Sequence, residues 1–398
     1  MSRIVFAWEL GSNYGYISQF LPFARELKLR GHEVVLVVRE LHHAQRMMTE
    51  GDIPILQAPM WLPTVQGLPE PPLNYAEILL RFGYHDAQSL AGVVSAWRTL
   101  LMLYQADVLI ASHAPTALLA ARSMGLPAAG LGTGFSIPPR VSPTPNMRYW
   151  VNVSPERLNS GDAAVLSTMN TLLTACGKPA MASVSELFDV QEQFLCTLPE
   201  LDHYPKRANA RYWGAVYDTQ MGQEAAWKAL DAKRVLVYLE PSHRDFAALL
   251  EALKNSGVQA LICAPGISSN LIKANETEKV RIYNQPIKFL GLLETCDLAI
   301  CHAGHGTTAG MLMAGVPLLM FPNHLEQFLL AKSVQDMGAG LLVNLEAAAP
   351  ELPPVLQRML QTPEFKLKAQ QFASNHAEFT QATLISSITA RIEEIAAK

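Results

Sequence analysis

The sequence predicts a two-domain α/β protein, each domain a doubly wound parallel sheet with helices on its faces. Three observations predict it. A strand–helix–strand unit runs from Arg3 to Val38. The same alternation restarts at Arg234. At 398 residues, 49% hydrophobic and 17% charged, the chain is long and apolar enough to fill two cores.

In the first half, Arg3–Trp8 is a short apolar run of strand length, and Gly11–Gly15 is a turn. From Ile17 to Leu29, Phe20, Leu21, Ala24 and Leu27 recur at helical spacing, and Gly31 ends that helix. Glu33–Val38 is a strand of valines and leucine. Val108–Ala111 is a further buried strand, Thr116–Met124 a helix closed by Gly125, and Leu126–Gly130 leads into the next strand. The Pro-rich segment Ala58–Asn74 reads as a surface loop over a cleft. Its Trp61, Leu62 and Leu68 either pack on their own domain or meet an apolar ligand. A second Pro-rich stretch covers Ser136–Pro155, helical periodicity returns at Ala163–Ala175, and Pro199–Asp218 reads as a strand and crossing segment.

In the second half, Arg234–Leu239, Gly257–Cys263, Arg281–Tyr283, Leu298–Cys301 and Pro317–Phe321 read as strands. Arg244–Lys254, Thr307–Ala314 and Gln327–Met337 read as helices, and Phe289–Glu294 as a helical turn. Lys366–Ala397 is helical. The expected division is residues 1–215, residues 224–375, and a C-terminal helix over 376–398 that crosses back to the first domain, with a linker near Val216–Gln223.

The net charge of −4 argues against a nucleic-acid partner, which needs a broad basic face. The five cysteines form no CxxC pair, so neither a disulfide framework nor a zinc site is expected. Met1-Ser2-Arg3 runs directly into the first strand, so no signal peptide is expected, and no apolar run is long enough for a membrane span. The expected address is cytoplasmic, with room for peripheral membrane contact.

The most informative stretch is Cys301-His302-Ala303-Gly304-His305-Gly306-Thr307-Thr308, which follows a buried strand and opens a helix. Free backbone N–H groups and the positive end of the helix dipole meet there, which suits an anion. Gly304 and Gly306 permit close approach, one threonine caps the helix, and His302 and His305 add imidazole donors. The same residues also read as a glycine-rich turn with two surface histidines. Downstream, Glu326 and Gln327 stand at the carboxyl edge of the next strand, where a carboxylate and an amide suit sugar hydroxyls or simply begin a helix.

From Val280 to Gly340 the pattern resembles the donor half of the inverting UDP-glycosyltransferases of GT-B fold, the bacterial macrolide and antibiotic enzymes among them. The matching pieces are Asn284-Gln285-Pro286, Cys296-Asp297, His302-x-Gly304-x-Gly306-Thr307-Thr308, Ala314-Gly315-Val316-Pro317 and Glu326-Gln327. Gly15 and the run from Ala24 to Val34 resemble the family's amino-terminal start, whereas about Gly51 to Ala232 resembles it only faintly. The resemblance implies two Rossmann-like domains facing a cleft. It also implies that His302 and Gly304–Thr308 hold a diphosphate, that Gln285–Ile287 border the base, and that Glu326 and Gln327 touch the sugar. UDP is the family's commonest nucleotide, no metal or other cofactor is expected, and the acceptor is a small-molecule or lipid-like hydroxyl compound.

Two departures bear on catalysis. The family places a catalytic histidine directly after the glycine matching Gly15, where this chain has Tyr16. It often pairs that histidine with an aspartate near the position of Ser112, which His113 follows here. Tyr16 is a poor base near neutrality, its reference pKa being about 10. Glu9 and His113, each just past a strand, are the candidate bases. They also read as a solvated loop carboxylate and a hydrogen-bonded buried histidine. Two functions follow: sugar transfer from a nucleotide sugar with inversion, or a non-catalytic nucleotide-sugar-binding protein that has lost its histidine at Tyr16. A nicotinamide dehydrogenase is discounted, because Gly11–Tyr16 lacks the G-x-G-x-x-G spacing.

Overall fold

A computed structural model of the chain describes residues 1–12, 14–48, 53–204, 207–343 and 351–397. It separates into two compact units. One comprises Met1–Leu198, Tyr204–Gly214 and Thr380–Lys398, the other Pro199–His203 and Ala215–Phe379.

In the first unit, β1 (Arg3–Trp8), α1 (Gly15–Leu29), β2 (Glu33–Val38), α2 (Leu41–Met47) and β3 (Ile55–Gln57) are followed by α3 (Tyr75–Leu80) and α4 (Ala87–Leu103). Then come β4 (Val108–Ser112), α5 (Pro115–Met124), β5 (Ala128–Gly132), α6 (Pro155–Ala175) and β6 (Glu192–Leu195). The strands form one sheet in the order β3-β2-β1-β4-β5-β6, every pair parallel. A parallel sheet covered on both faces needs strands that are apolar throughout, and β1, β2, β4 and β5 are buried along nearly their whole length. Local signals set the helix ends: Pro115 opens α5, and Gly125 closes it in a left-handed conformation at φ 76°. The core of one face gathers Val5, Val35, Leu109, Trp97, Tyr75 and Tyr84, all essentially inaccessible.

The second unit holds β7 (Arg234–Tyr238), α7 (Phe246–Asn255), β8 (Gln259–Cys263), α8 (Ser269–Asn275), β9 (Val280–Tyr283) and β10 (Leu298–Cys301). After these come α9 (His305–Met313), β11 (Leu318–Met320), α10 (Leu325–Asp336), β12 (Gly340–Leu342), α11 (Leu352–Gln361) and α12 (Pro363–Asn375). The sheet order is β12-β11-β10-β7-β8-β9, again wholly parallel. In each sheet the winding reverses between two central neighbours, β1 and β4 in one and β7 and β10 in the other. Ligands of doubly wound sheets bind beyond the carboxyl ends of such a pair. The last helix, α13 (Gln381–Ala396), belongs to the first unit and packs on α1, where Glu393 binds Arg30 at 3.0 Å and His32 at 2.9 Å.

Two expectations are corrected, and one open alternative is decided. Pro199–Asp218 contains a short 3-10 turn at Pro199–Leu201 and an isolated bridge from Leu195 to Tyr212, but no strand among its described residues; residues 205 and 206 lie outside them. The helical tail from Lys366 to Ala397 is two helices, because residues 376–380 break the run before Thr380 caps α13. The Ala58–Asn74 loop packs largely on its own unit: Met60 and Leu68 join the core, and the Trp61 ring occupies the space a Cβ on Gly83 would need. Leu62 alone of its three apolar side chains is fully presented to solvent, at 81% exposure. No helix among the described residues is long and apolar enough to cross a membrane.

Candidate functional site

In the second unit β10 delivers His302 to the carboxyl edge of the sheet at the reversal point. Ala303 follows in the left-handed region at φ 59°, and this turn sets Gly304 as the N-cap of α9. No side chain caps the helix, which corrects the expected threonine cap. The first-turn amides of His305, Gly306 and Thr307 therefore stand at a half-open helix start carrying partial positive charge. Thr308 is placed differently. It is fully buried, and its amide bonds the Gly304 carbonyl at 2.9 Å, so it packs beneath the helix instead of lining its mouth.

The two glycines of the motif do separate work. A Cβ on Gly304 would come 3.5 Å from His302 Nε2, so the missing side chain leaves room beside the imidazole. A Cβ on Gly306 would come 3.2 Å from the Val216 carbonyl, so the missing side chain lets a neighbouring backbone segment approach this face of the turn. His302 packs against the Tyr238 ring at 5.6 Å. Burial, helped by nearby His243, pushes its pKa down to about 4, and its Nδ1 has no hydrogen-bond partner among the described residues. His305 is held at about 3 by burial and by His203, whose ring lies 6.4 Å away. Both imidazoles are neutral donors at pH 7.

The remaining donor-side residues lie on adjoining edges. Glu326 is half-buried in the first turn of α10. Gln327, beside it, accepts the Asn323 amide with Oε1 at 2.7 Å, tying the first turn of α10 back to the segment before it. Gln285 is exposed beyond β9, with its carbonyl accepting from the Cys263 thiol at 3.5 Å. Ile287 is buried and bridges to Gln223.

In the first unit the carboxyl ends of β1 and β4 bring Glu9, Tyr16 and His113 together. Glu9 is 2% exposed, and its carboxylate accepts the Thr116 amide at 2.8 Å, the Thr116 hydroxyl and the Ala117 amide at 3.4 Å. It caps the amino end of α5 from a distant strand. That corrects its reading as a solvated carboxylate, and both oxygens already accept hydrogen bonds. Burial pushes its pKa up to about 7 against those hydrogen bonds and against Arg39.

Tyr16 and His113 form a pair. The Tyr16 hydroxyl lies 3.0 Å from His113 Nδ1, and the rings are 5.4 Å apart. Tyr16 stacks on Trp8 at 5.7 Å, and Gly11, at φ 86°, makes room for its ring, since a Cβ there would overlap it. His113 sits at φ 48°, a left-handed conformation seldom adopted by a residue with a side chain, fixed by its carbonyl accepting the Leu10 amide at 2.9 Å. Tyr75 and Phe135 complete a ring of aromatics around it. Burial and Arg39 lower its pKa to about 3, so it is neutral.

The chain is similar to several known proteins. The family described as the erythromycin biosynthesis protein CIII-like C-terminal domain matches residues 271–390. Elloramycin glycosyltransferase ElmGT of Streptomyces olivaceus is 38% identical over 82 residues, covering 21% of this chain and one fifth (20%) of that protein. The PGL/p-HBAD biosynthesis glycosyltransferase of Mycobacterium tuberculosis is 22% identical over 319 residues, 75% of this chain and 74% of that one. The crystal structure of glycosyltransferase VinC in complex with dTDP superposes with a TM-score of 0.68 at 17% identity, covering 99% of both chains.

Residues 271–390 match that family's model, and the chain as a whole has the GT-B fold of these glycosyltransferase structures.

It departs from the glycosyltransferase pattern at the two base positions, and the departures are joined: Tyr16 and His113 bond to each other. Sequence reasoning named both residues but not the bond, because nothing local links positions 97 residues apart. It missed His243, Glu240 and Arg39. His243 and Glu240 follow β7, the strand adjacent to β10, and Arg39 follows β2; the carboxyl-edge rule would have found all three once the strand order was known. One metal-capable group exists among the described residues: Glu40, His42 and His43 have ligand atoms within 4.8 Å of one another, with His43 already bonded to Glu40 at 2.6 Å.

Proposed function

We propose that the chain transfers a sugar from a nucleoside-diphosphate sugar to an acceptor hydroxyl, with inversion at the anomeric carbon. The observation that carries this reading is the uncapped amino end of α9, with His302 beside it bearing an unpartnered ring nitrogen. The amides of His305, Gly306 and Thr307 and the His302 imidazole receive the diphosphate. As the glycosidic bond breaks, charge gathers on the leaving oxygen, and preorganised donors stabilise it at about 3–4 kcal/mol for a strong one. Glu326 and the amide end of Gln327 meet the sugar, and Gln285 and Ile287 border the base. The donors at α9 meet the leaving charge without a metal ion, so EDTA leaves turnover unchanged.

The acceptor oxygen is received in the first unit at Tyr16. Acceptors are small-molecule or lipid-like hydroxyl compounds, as the name of the elloramycin enzyme suggests by analogy. Uridine and thymidine diphosphates are the first nucleotides to test, the second because VinC holds dTDP. The proposed address is cytoplasmic, with peripheral membrane contact where the acceptor is lipid-like. The test is a thermal-shift screen over UDP, dTDP and their sugars, followed by product analysis with a mixed acceptor pool. A rise in melting temperature with one nucleotide and a β-glycoside from an α-linked donor support the reading. No shift with any nucleotide sugar overturns it.

A further inference from the structure

The turn that carries His113 is gripped on both sides by the residues that follow β1. Only His113 and Ala114 lie between Ser112, the last residue of β4, and Pro115, the first of α5. His113 sits at φ 48°, a conformation that a residue with a side chain keeps only where its surroundings enforce it. Leu10 and Glu9 supply that enforcement. The Leu10 amide donates to the His113 carbonyl at 2.9 Å. The Glu9 carboxylate accepts the Thr116 amide at 2.8 Å and the Ala117 amide at 3.4 Å. These are the second and third amides of α5, the ones an N-cap side chain ordinarily takes, and the N-cap residue Ala114 has no side chain able to take them. Glu9 is held in turn. Arg39 donates to its main-chain carbonyl at 3.2 Å. The Thr116 hydroxyl bonds Glu9 Oε1 on one side and lies 3.1 Å from the Tyr84 hydroxyl on the other. Glu9, Thr116 and Tyr84 are all almost completely buried.

Resting on the transfer reading, we infer that Glu9 is a positioning residue for sugar transfer: it fixes the start of α5, keeps His113 Nδ1 on the Tyr16 hydroxyl at the acceptor edge, and does not itself take the acceptor proton. The task calls for one oxygen that accepts two amides and one atom that bonds Thr116 Oγ1. It calls for no negative charge. A glutamine at this position meets both needs, its carbonyl receiving the amides and its N–H donating to the Thr116 oxygen. An alanine leaves the two amides without a partner in the protein interior and releases the turn.

The experiment compares wild type, Glu9→Gln and Glu9→Ala, each as the full chain. It measures turnover with the acceptor found in the mixed pool, calorimetry with UDP and dTDP, and imidazole nitrogen NMR, in which His113→Gln identifies the His113 signals. Glu9→Ala is expected to lose about 100-fold in kcat, the effect of a misplacement of about 1 Å, with nucleotide affinity unchanged and the His113 signals moved. Glu9→Gln is expected to rescue that loss to within about threefold of wild type, whereas removal of a general base costs about 100-fold or more in both variants alike. Its His113 signals should match those of wild type. A Glu9→Gln variant as slow as Glu9→Ala, with its His113 signals unmoved, overturns the inference and leaves the transfer reading intact. So does a Glu9→Ala variant with wild-type kcat or wild-type His113 signals. If Glu9→Ala does not fold, turnover and signals of Glu9→Gln decide by the same outcomes. Absence of nucleotide binding by wild type counts against transfer itself, and the His113 signals, which need no turnover, still test the positioning.

Discussion

The Tyr16 hydroxyl and His113 Nδ1 lie 3.0 Å apart across 97 residues of sequence, one at the start of α1 and the other directly after β4. Adjacent parallel strands bring their carboxyl ends together, and Gly11 and the left-handed His113 backbone aim the two side chains at each other. Tyr16→Phe removes the hydroxyl and keeps the stack on Trp8. It is expected to lower kcat about 10²-fold, the effect of losing one hydrogen-bonding group at the acceptor oxygen, with nucleotide affinity unchanged. Steady-state kinetics beside calorimetry measure both.

Gly11→Ala tests the same pair from behind. The substitution forces a Cβ onto a backbone at φ 86° and into the Tyr16 ring. A loss of about 1–3 kcal/mol of stability is expected, with kcat falling as Tyr16 moves. Denaturant unfolding and turnover should change together.

Glu9 and His113 give stability opposite dependences on pH. Glu9 has its folded pKa raised from 4.5 to about 7, so the folded chain binds the extra proton. Its contribution is complete below pH 4.5 and is lost as pH rises through 7, on the order of 3 kcal/mol in all. His113 has its folded pKa lowered from 6.5 to about 3. Its contribution is complete above pH 6.5 and is lost as pH falls, about 2 kcal/mol of it by pH 5. Urea unfolding of wild type and Glu9→Gln between pH 5 and 8 should show the variant gaining on wild type as pH rises. Measured at pH 5 and 7, His113→Gln should lose less stability on acidification than wild type.

His302 links donor binding to protons. Its neutral imidazole, near His243, His324 and Glu240, faces a ligand of high negative charge, which favours the protonated form. Binding therefore takes up a proton, and affinity falls as pH rises through the pKa of the bound state. Calorimetry in buffers of different ionisation enthalpy should detect the uptake, and His302→Gln should abolish it.

Much of this was legible in the sequence because the signals were local. Arg3–Trp8, Glu33–Val38 and Leu298–Cys301 coincide with β1, β2 and β10, since continuous apolar runs bounded by polar residues leave little choice. The helix after β10 was legible from its glycines, though its cap was not, because the conformation of Ala303 decides that. The helix α4 escaped notice although Asp86 caps it through the Gln88 and Ser89 amides at 3.1 and 3.2 Å. Its apolar residues run nearly all round, so no clean period stands out. The short edge strands β3, β6 and β12 carry too few residues to signal themselves. The role of Glu9 was illegible for a different reason. Only the folded sheet places a residue after β1 under the first turn of α5.

The central claim is that the amides of His305–Thr307 and the His302 ring grip a diphosphate. Titration calorimetry of the full chain with UDP and dTDP, repeated on His302→Ala, tests it directly. The account predicts saturable binding of at least one nucleotide, weakened about 10-fold or more in the variant by loss of a hydrogen bond to a charged group. Binding that is undetectable for both nucleotides, or equally tight without the imidazole, would contradict it.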